Sequence, residues 1–287
     1  MRLTLTVVAL AASAATAADG VRIRAAFAPG QDLHYRWHLE ATNEWTPTVP
    51  GTDSGTMRTD FDFHLVAERV DRGVGTFRVE GQSLESVAEG AKGALGISAT
   101  PDQAKLLLGQ KWLKPGPGTP LKERLTVDLG PRCNVSGSSG FRHIALYFLP
   151  SVDDRIWLAL MTAPEGPLVP GKEWTKKFEV PIKELGNRPL AVDVYLRSDE
   201  GEATAAGRTM VVRLAGKLGL SDFDVDLKKG RTLHVASGTY SVSGRTVWDV
   251  ARGVPLSIEA EQWIDAAVDD PATTLAHHAR SELTLVE

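Results

Sequence analysis

The chain has 287 residues, 32 basic and 36 acidic, a formal net charge of −4, 43% hydrophobic residues and a single cysteine. That balance excludes a general nucleic-acid surface, which needs clustered cationic residues, and one cysteine excludes any intramolecular disulfide. No stretch is apolar for the roughly 20 residues that a spanning helix requires, so no transmembrane anchor is expected and stability must come from a hydrophobic core.

Residues 1–18 hold one early positive charge, Arg2, then an apolar run ending in the small-residue pattern Ala15-Thr16-Ala17. This reads as a signal peptide with cleavage near Ala18 or Asp19, which implies an exported protein, periplasmic or extracellular. Without Arg2 the chain carries 31 basic against 36 acidic residues, a net charge near −5. No cysteine follows the cleavage pattern, so a lipid anchor is not expected.

The segment Phe27–Leu39, FAPGQDLHYRWHL, sets the theme for the fold. Leu33, Tyr35, Trp37 and Leu39 alternate with polar neighbours, the period-two pattern of a strand with one buried face. Asn43–Gly55 carries prolines and glycines and reads as a loop. Met57–Val70 alternates again, with Phe61, Phe63, Leu65 and Ala67 on one side and Arg58, Asp60, Asp62, His64 and Glu68 on the other. Asp71-Arg72-Gly73 turns the chain into Gly75–Gln82, which places Phe77 and Val79 on the apolar side. Leu84 falls out of phase, so a bulge is expected at Gly81.

Ala91–Pro120 reads as an interruption of the strands. Thr100-Pro101-Asp102-Gln103 has the signature of a helix start and Gly109 that of a stop, which predicts a short helix between them. Strands resume at Leu125–Leu129 and reach Cys133, expected to be a buried thiol in a strand. Ser136–Gly140 reads as flexible. Phe141–Ala163 begins apolar, and Ser151–Asp154 can cap a helix through Met161.

At Leu168–Val180, LVPGKEWTKKFEV, the opening motif returns: an apolar residue two before Pro-Gly, two polar residues, a large apolar one and an alternating strand. Strands follow at Leu190–Arg197, Ala205–Leu214, Ser221–Leu227, Thr232–Val242 and Thr246–Val250. The turn Ala251-Arg252-Gly253 leads to Val254–Ala267, and Asp269-Asp270-Pro271 closes a hairpin with Thr273–Val286. The repeat predicts two related β halves, 19–150 and 168–287, joined by a connecting segment at 151–167. The expected fold is mainly β: antiparallel, strongly curved, half-barrel-like sheets with a few short helices.

The Pro-Gly-x-x-aromatic openings, the glycine turns and VWDVARGVPLSIE at 247–259 resemble a family of exported bacterial proteins with a duplicated β domain. More distantly, the architecture resembles the half-barrel of the outer-membrane lipoprotein carriers. The first resemblance implies the duplicated fold and no catalytic residues. The second implies a concave apolar surface.

Catalytic and metal-binding motifs are missing from the sequence: there is no Gly-x-Ser-x-Gly, His-Glu-x-x-His, phosphate loop or cysteine pair. Ser136, Ser138 and Ser139 lie near His143, but a triad also needs an orienting group that proximity does not supply. Asp222, Asp224 and Asp226 alternate in a presumed strand about 6.6 Å apart, too far to cage calcium. His34, His38 and His64 could approach Asp60 and Asp62 if their strands pair, though at most one of the first two could share a metal with His64. His277 and His278 face opposite ways. No cofactor and no metal site is predicted.

Two functions remain. One is a non-enzymatic module that binds an apolar ligand, a lipid or a lipoprotein, in the concavity of a curved sheet, with Tyr35, Trp37, Phe61, Phe63 and Phe77 as its candidate lining. Taken singly, each of the five reads more readily as core filling, because alternating aromatics in strands usually belong to the core. The other is a structural or interaction module of the cell envelope whose strand edges pair with a protein partner. A hydrolase ranks third.

Overall fold

The computed structural model describes residues 20–47, 54–114, 119–139, 154–182, 188–205, 207–227, 231–269 and 272–286. Fifteen strands and one α-helix follow in the order β1 (Asp32–Thr46), β2 (Gly55–Asp71), β3 (Val74–Gly90), β4 (Gly93–Ala99), β5 (Ala104–Leu108), β6 (Lys111–Trp112), β7 (Leu125–Leu129), β8 (Val135–Ser139), α1 (Asp154–Met161), β9 (Glu173–Ile182), β10 (Arg188–Glu200), β11 (Thr209–Leu220), β12 (Phe223–Leu227), β13 (Arg231–Asp249), β14 (Pro255–Asp269) and β15 (Ala272–Leu285). The fold is mainly β and antiparallel, as expected, and forms one curled sheet that does not close into a barrel.

The main path through the sheet is β6-β5-β4-β3-β2-β1-β15-β14-β13-β11-β10-β9. Off this path β7 pairs with β3 and β8, and β12 with β13, while the last strand of the chain pairs with the first over Tyr35↔Leu285 to Thr46↔Thr274. Both Pro-Gly openings fold alike. Gly30 donates to Ala67 O at 2.8 Å and Gly171 to Ser198 O at 2.7 Å, while Ala67 and Ser198 donate back to Gln31 and Lys172. Both glycines sit at positive φ, 77° and 79°, where a side chain is disfavoured. The strands that follow differ in place: β1 lies in the middle of the sheet and β9 at its edge.

Alternation drives one face of every long strand inward. From β9 to β4, one inner row runs Trp174, Leu196, Leu214, Gly244, Ala260, Ser281, Leu39, Thr59, Ser86, Ile97. Small residues in the middle of this row make room for α1. A Cβ on Gly244 would lie 2.8 Å from Leu160 Cδ1, and Thr246 Oγ1 donates to Leu160 O at 2.7 Å. Ile156 and Leu160 of α1 are buried in the core.

Several local expectations are corrected. Ala91–Lys114 is not an interruption: the presumed helix over 101–109 is β5, and β4–β5–β6 form a three-stranded tongue. AKLLL at 104–108 has fair helix propensity, but pairing with β4 supplies its backbone partners, and tertiary context outweighs propensity. Cys133 is buried but sits in a turn at φ 58°, not in a strand. Val135–Ser139 is a strand paired with β7 instead of a flexible run. Strand β1 continues through Thr46 into the expected loop, and β13 is one strand across 232–249. The register of β2 and β3 slips between Asp62/Phe63, where Ser83 and Gly81 are the partners, so the extra residue is Gln82, one place from the expected Gly81. Residues 151–153 of the expected Ser151–Asp154 cap, the apolar segment 141–150, and residues 270–271 of the expected Asp269-Asp270-Pro271 turn lie outside the described residues.

Candidate apolar binding site

Three neighbouring strands carry the candidate residues to one place. The register sets Trp37 opposite Phe61, Tyr35 opposite Phe63 and Leu33 opposite Leu65. The rings of Phe61 and Phe63 stack at 4.7 Å, and Tyr35 lies 6.1 Å from Phe63. At the bulge β3 changes partner: its residues Gly75–Val79 pair with β7, and Leu84–Gly90 pair with β4. The split leaves Val79 and the β7 residues Leu125, Val127 and Leu129 facing the aromatics. On the other side, Leu283 of β15 and Val254-Pro255 close the wall, and Trp157 and Met161, one turn apart on α1, cover it. Between them lies a cavity of about 250 Å³.

Tyr35, Trp37, Phe61 and Phe63 all line this cavity. Phe77 does not. It is fully buried and packs edge-on against Phe27, with centroids 4.9 Å apart, so it belongs to the core. The alternation of the strands pointed to the four lining aromatics. It could not reach Trp157, Met161, Cys133 or the β7 residues, whose approach depends on the strand split and on where α1 docks. Their one local signal is the apolar pair Trp157 and Met161 at helical spacing.

Three polar side-chain atoms on the wall find partners within the protein. Tyr35 Oη donates to Pro255 O at 3.0 Å, Trp37 Nε1 to Ser281 Oγ at 2.7 Å and Cys133 Sγ to Gly253 O at 3.3 Å. Burial pushes the Tyr35 hydroxyl above its ordinary range and the Cys133 thiol up to about 12, so both are neutral at physiological pH. No lining residue is a carboxylate, histidine, lysine or arginine.

His34, His38 and His64 lie on the opposite, polar face, each against a carboxylate. His34 and His64 stack at 4.2 Å across β1 and β2, His34 Nε2 meets Asp62 at 2.6 Å and His64 Nδ1 meets Asp32 at 2.8 Å. His38 Nδ1 meets Asp60 at 2.6 Å. Burial would raise the Asp60 carboxyl, but its bonds to His38 and Arg58 hold it below its usual value. Among the described residues no three His, Cys, Asp or Glu side chains form a metal-binding group. Asp222 precedes β12 at φ 55°, so it does not share a strand face with Asp224 as the alternation implied; Asp224 pairs with His234. His277 is buried on the inner face and His278 stacks on Trp263 outside. Ser136 and Ser139 bond to Asp128 O and Thr126, and His143 lies outside the described residues.

A broader groove of about 850 Å³ on the polar face runs across Arg197, Arg213 and Arg245, directly opposite one another on successive strands. Each is already paired: Arg197 and Arg213 with Asp199, Arg245 with Glu259. Its cationic charge is neutralised internally, so the apolar cavity is the better candidate site.

No protein-family model matches the chain, and no curated protein matches it. Among solved structures the chain is similar to lipovitellin, in a structure described by its lipid–protein interactions. The identity is 9% and the TM-score 0.47, over 91% of this chain. The likeness spans 26% of that longer chain.

Proposed function

We propose that this chain is an exported, non-enzymatic binding protein of the cell envelope, periplasmic or extracellular, that holds an apolar ligand in the cavity between β1, β2, β7 and α1. The observation that carries the reading is an apolar cavity without charged side chains among its described lining residues, in which Tyr35, Trp37 and Cys133 already have hydrogen-bond partners within the protein. Such a wall rewards burial of hydrocarbon and offers nothing to a charged or polar group. An apolar cavity of about 150 Å³ accepts benzene, and drug-sized ligands use about 300 Å³ or more. At about 250 Å³ the site suits one short acyl chain or a compact ring system, from a free lipid or a lipoprotein. Among the described residues the wall's one thiol, Cys133, is held neutral by burial and no acid–base pair adjoins it, which favours binding over catalysis, and the function calls for no cofactor.

The alternative of strand pairing with a protein partner is less favoured by the sheet edges. At the ends of the main path, β6 is two residues long and β9 carries Lys176, Lys177 and Glu179, while the branch strands β8 and β12 are five residues each. Short or charged edges resist strand addition.

Native mass spectrometry of protein purified from its own host tests the proposal. The expected spectrum shows one apolar molecule bound per chain. Val127→Phe, which places a ring in the cavity, should remove it while the fold is retained. Protein that is ligand-free in every preparation, and not stabilised by added decanoate, would contradict the proposal. A ligand at about 100 times its Kd should add about 2.7 kcal/mol.

A further inference from the structure

The tongue formed by β4, β5 and β6 exposes hydrocarbon that a soluble surface does not need. Leu95, Leu106, Leu108 and Leu113 are 62%, 44%, 51% and 38% exposed. They share one face: Leu95 is opposite Leu108, and Leu113 donates to Leu106 O at 2.7 Å. Trp112, 41% exposed, stands on the reverse side. Residues 91–114 also hold Lys92, Lys105, Lys111 and Lys114 against one acid, Asp102, a local charge of +3 in a chain of net charge −4. At the base, Glu89 and Glu85 of β3 stand opposite Ala94 and Ser98.

We propose that this tongue docks on an anionic lipid surface, its leucine face entering the interfacial layer and its lysines meeting the headgroups. Contiguous leucines, with Lys111 beside Leu108 on the same face and three more lysines along the tongue, combine the two attractions that hold a peripheral element at a membrane: apolar burial and charge. The charge argues against a second copy as occupant, because two tongues of +3 would repel where they meet. The two-residue β6 edge leaves little backbone for a protein strand to pair with. The leucine face is also continuous with the cavity wall. One inner row runs Ala104, Ala99, Leu84, Phe61, Trp37 from the tongue to the site. This contact does not depend on the cavity being occupied, but it would place the cavity mouth near a source of acyl chains.

Vesicle co-flotation tests it, with vesicles of phosphatidylglycerol and phosphatidylcholine in equal parts against phosphatidylcholine alone. Both the full chain and its export-processed form are used, so that apolar residues 3–17 are controlled for. The wild type should float with the anionic vesicles only, and salt near 1 M, where the screening length falls to about 3 Å, should release it. Lys105→Gln and Lys111→Gln should each weaken partitioning about fivefold. Leu95→Ser with Leu108→Ser should abolish flotation with the circular dichroism spectrum unchanged, because both side chains are exposed. Val127→Phe should float as wild type, which separates the tongue from the cavity. Absence of flotation, equal flotation with both vesicles, or leucine variants that float normally would overturn the proposal. So would leucine variants that only convert a dimer to a monomer in sedimentation.

Discussion

Cys133 illustrates how much a single residue depends on placement. Its sequence context predicted a buried thiol, and it is 3% exposed, with burial pushing its pKa up to about 12. A thiol at that pKa is almost wholly protonated near neutrality and a poor nucleophile. Folded protein should therefore show no labelling by Ellman's reagent over minutes at pH 8, and one thiol per chain in guanidinium; rapid labelling of folded protein would show that the cavity wall opens. Asp249 was not singled out by any pattern, yet its side chain is 2% exposed in the β13–β14 turn. Burial would raise its carboxyl, but the Arg252 backbone N–H, the Arg252 guanidinium and the Ala251 N–H hold it below the usual value. A depressed carboxyl pKa stabilises the fold above the unfolded value of about 3.9, and that stability is lost as pH falls through the folded value. Denaturant titrations of wild type and Asp249→Asn should thus differ by about 1–3 kcal/mol at pH 7 and converge toward pH 2. A difference that stays constant with pH would mean that the carboxylate charge is not what the turn uses.

Among the elements, the long strands were legible because one wet and one buried face imposes strict alternation: β1, β2, β14 and β15 all show it. The tongue was not legible, because Thr100–Gln103 and Gly109 imitate helix ends and only the neighbouring β4 reveals the true partner. Turns divide in the same way. Pro-Gly announced the turns at Gly30 and Gly171, while nothing local marked Gly253 as a packing point. Its φ is 69°, and an added Cβ would lie 2.2 Å from the Arg24 carbonyl carbon and 2.4 Å from Ala25 N. A Cβ added at Gly30 or Gly171 would meet nothing within 4 Å. Gly30→Ala and Gly171→Ala should therefore each cost about 1 kcal/mol of backbone strain. Gly253→Ala adds a backbone collision and should cost at least about 2 kcal/mol more. Equal costs at all three sites in urea unfolding would show that Arg24-Ala25 yields freely.

Across the whole molecule, the β1–β15 pairing joins the N-terminal and C-terminal strands into one sheet, and α1 packs on its inner face. The aromatics of β1 and β2 could have been core or cavity wall on alternation alone. What separates the two is third-party geometry: the split of β3 between β7 and β4 at Gln82, and the docking of Leu160 over Gly244. Of the seven tryptophans, Trp37 and Trp157 line the resulting cavity, whereas Trp45 and Trp248 are buried elsewhere. The most direct measurement of the central claim is therefore tryptophan quenching by a brominated ten-carbon fatty acid. Saturable quenching at one acid per chain is predicted, with most of it removed in Trp37→Phe/Trp157→Phe. No saturable quenching, or quenching unchanged by those two substitutions, would contradict ligand binding in this cavity.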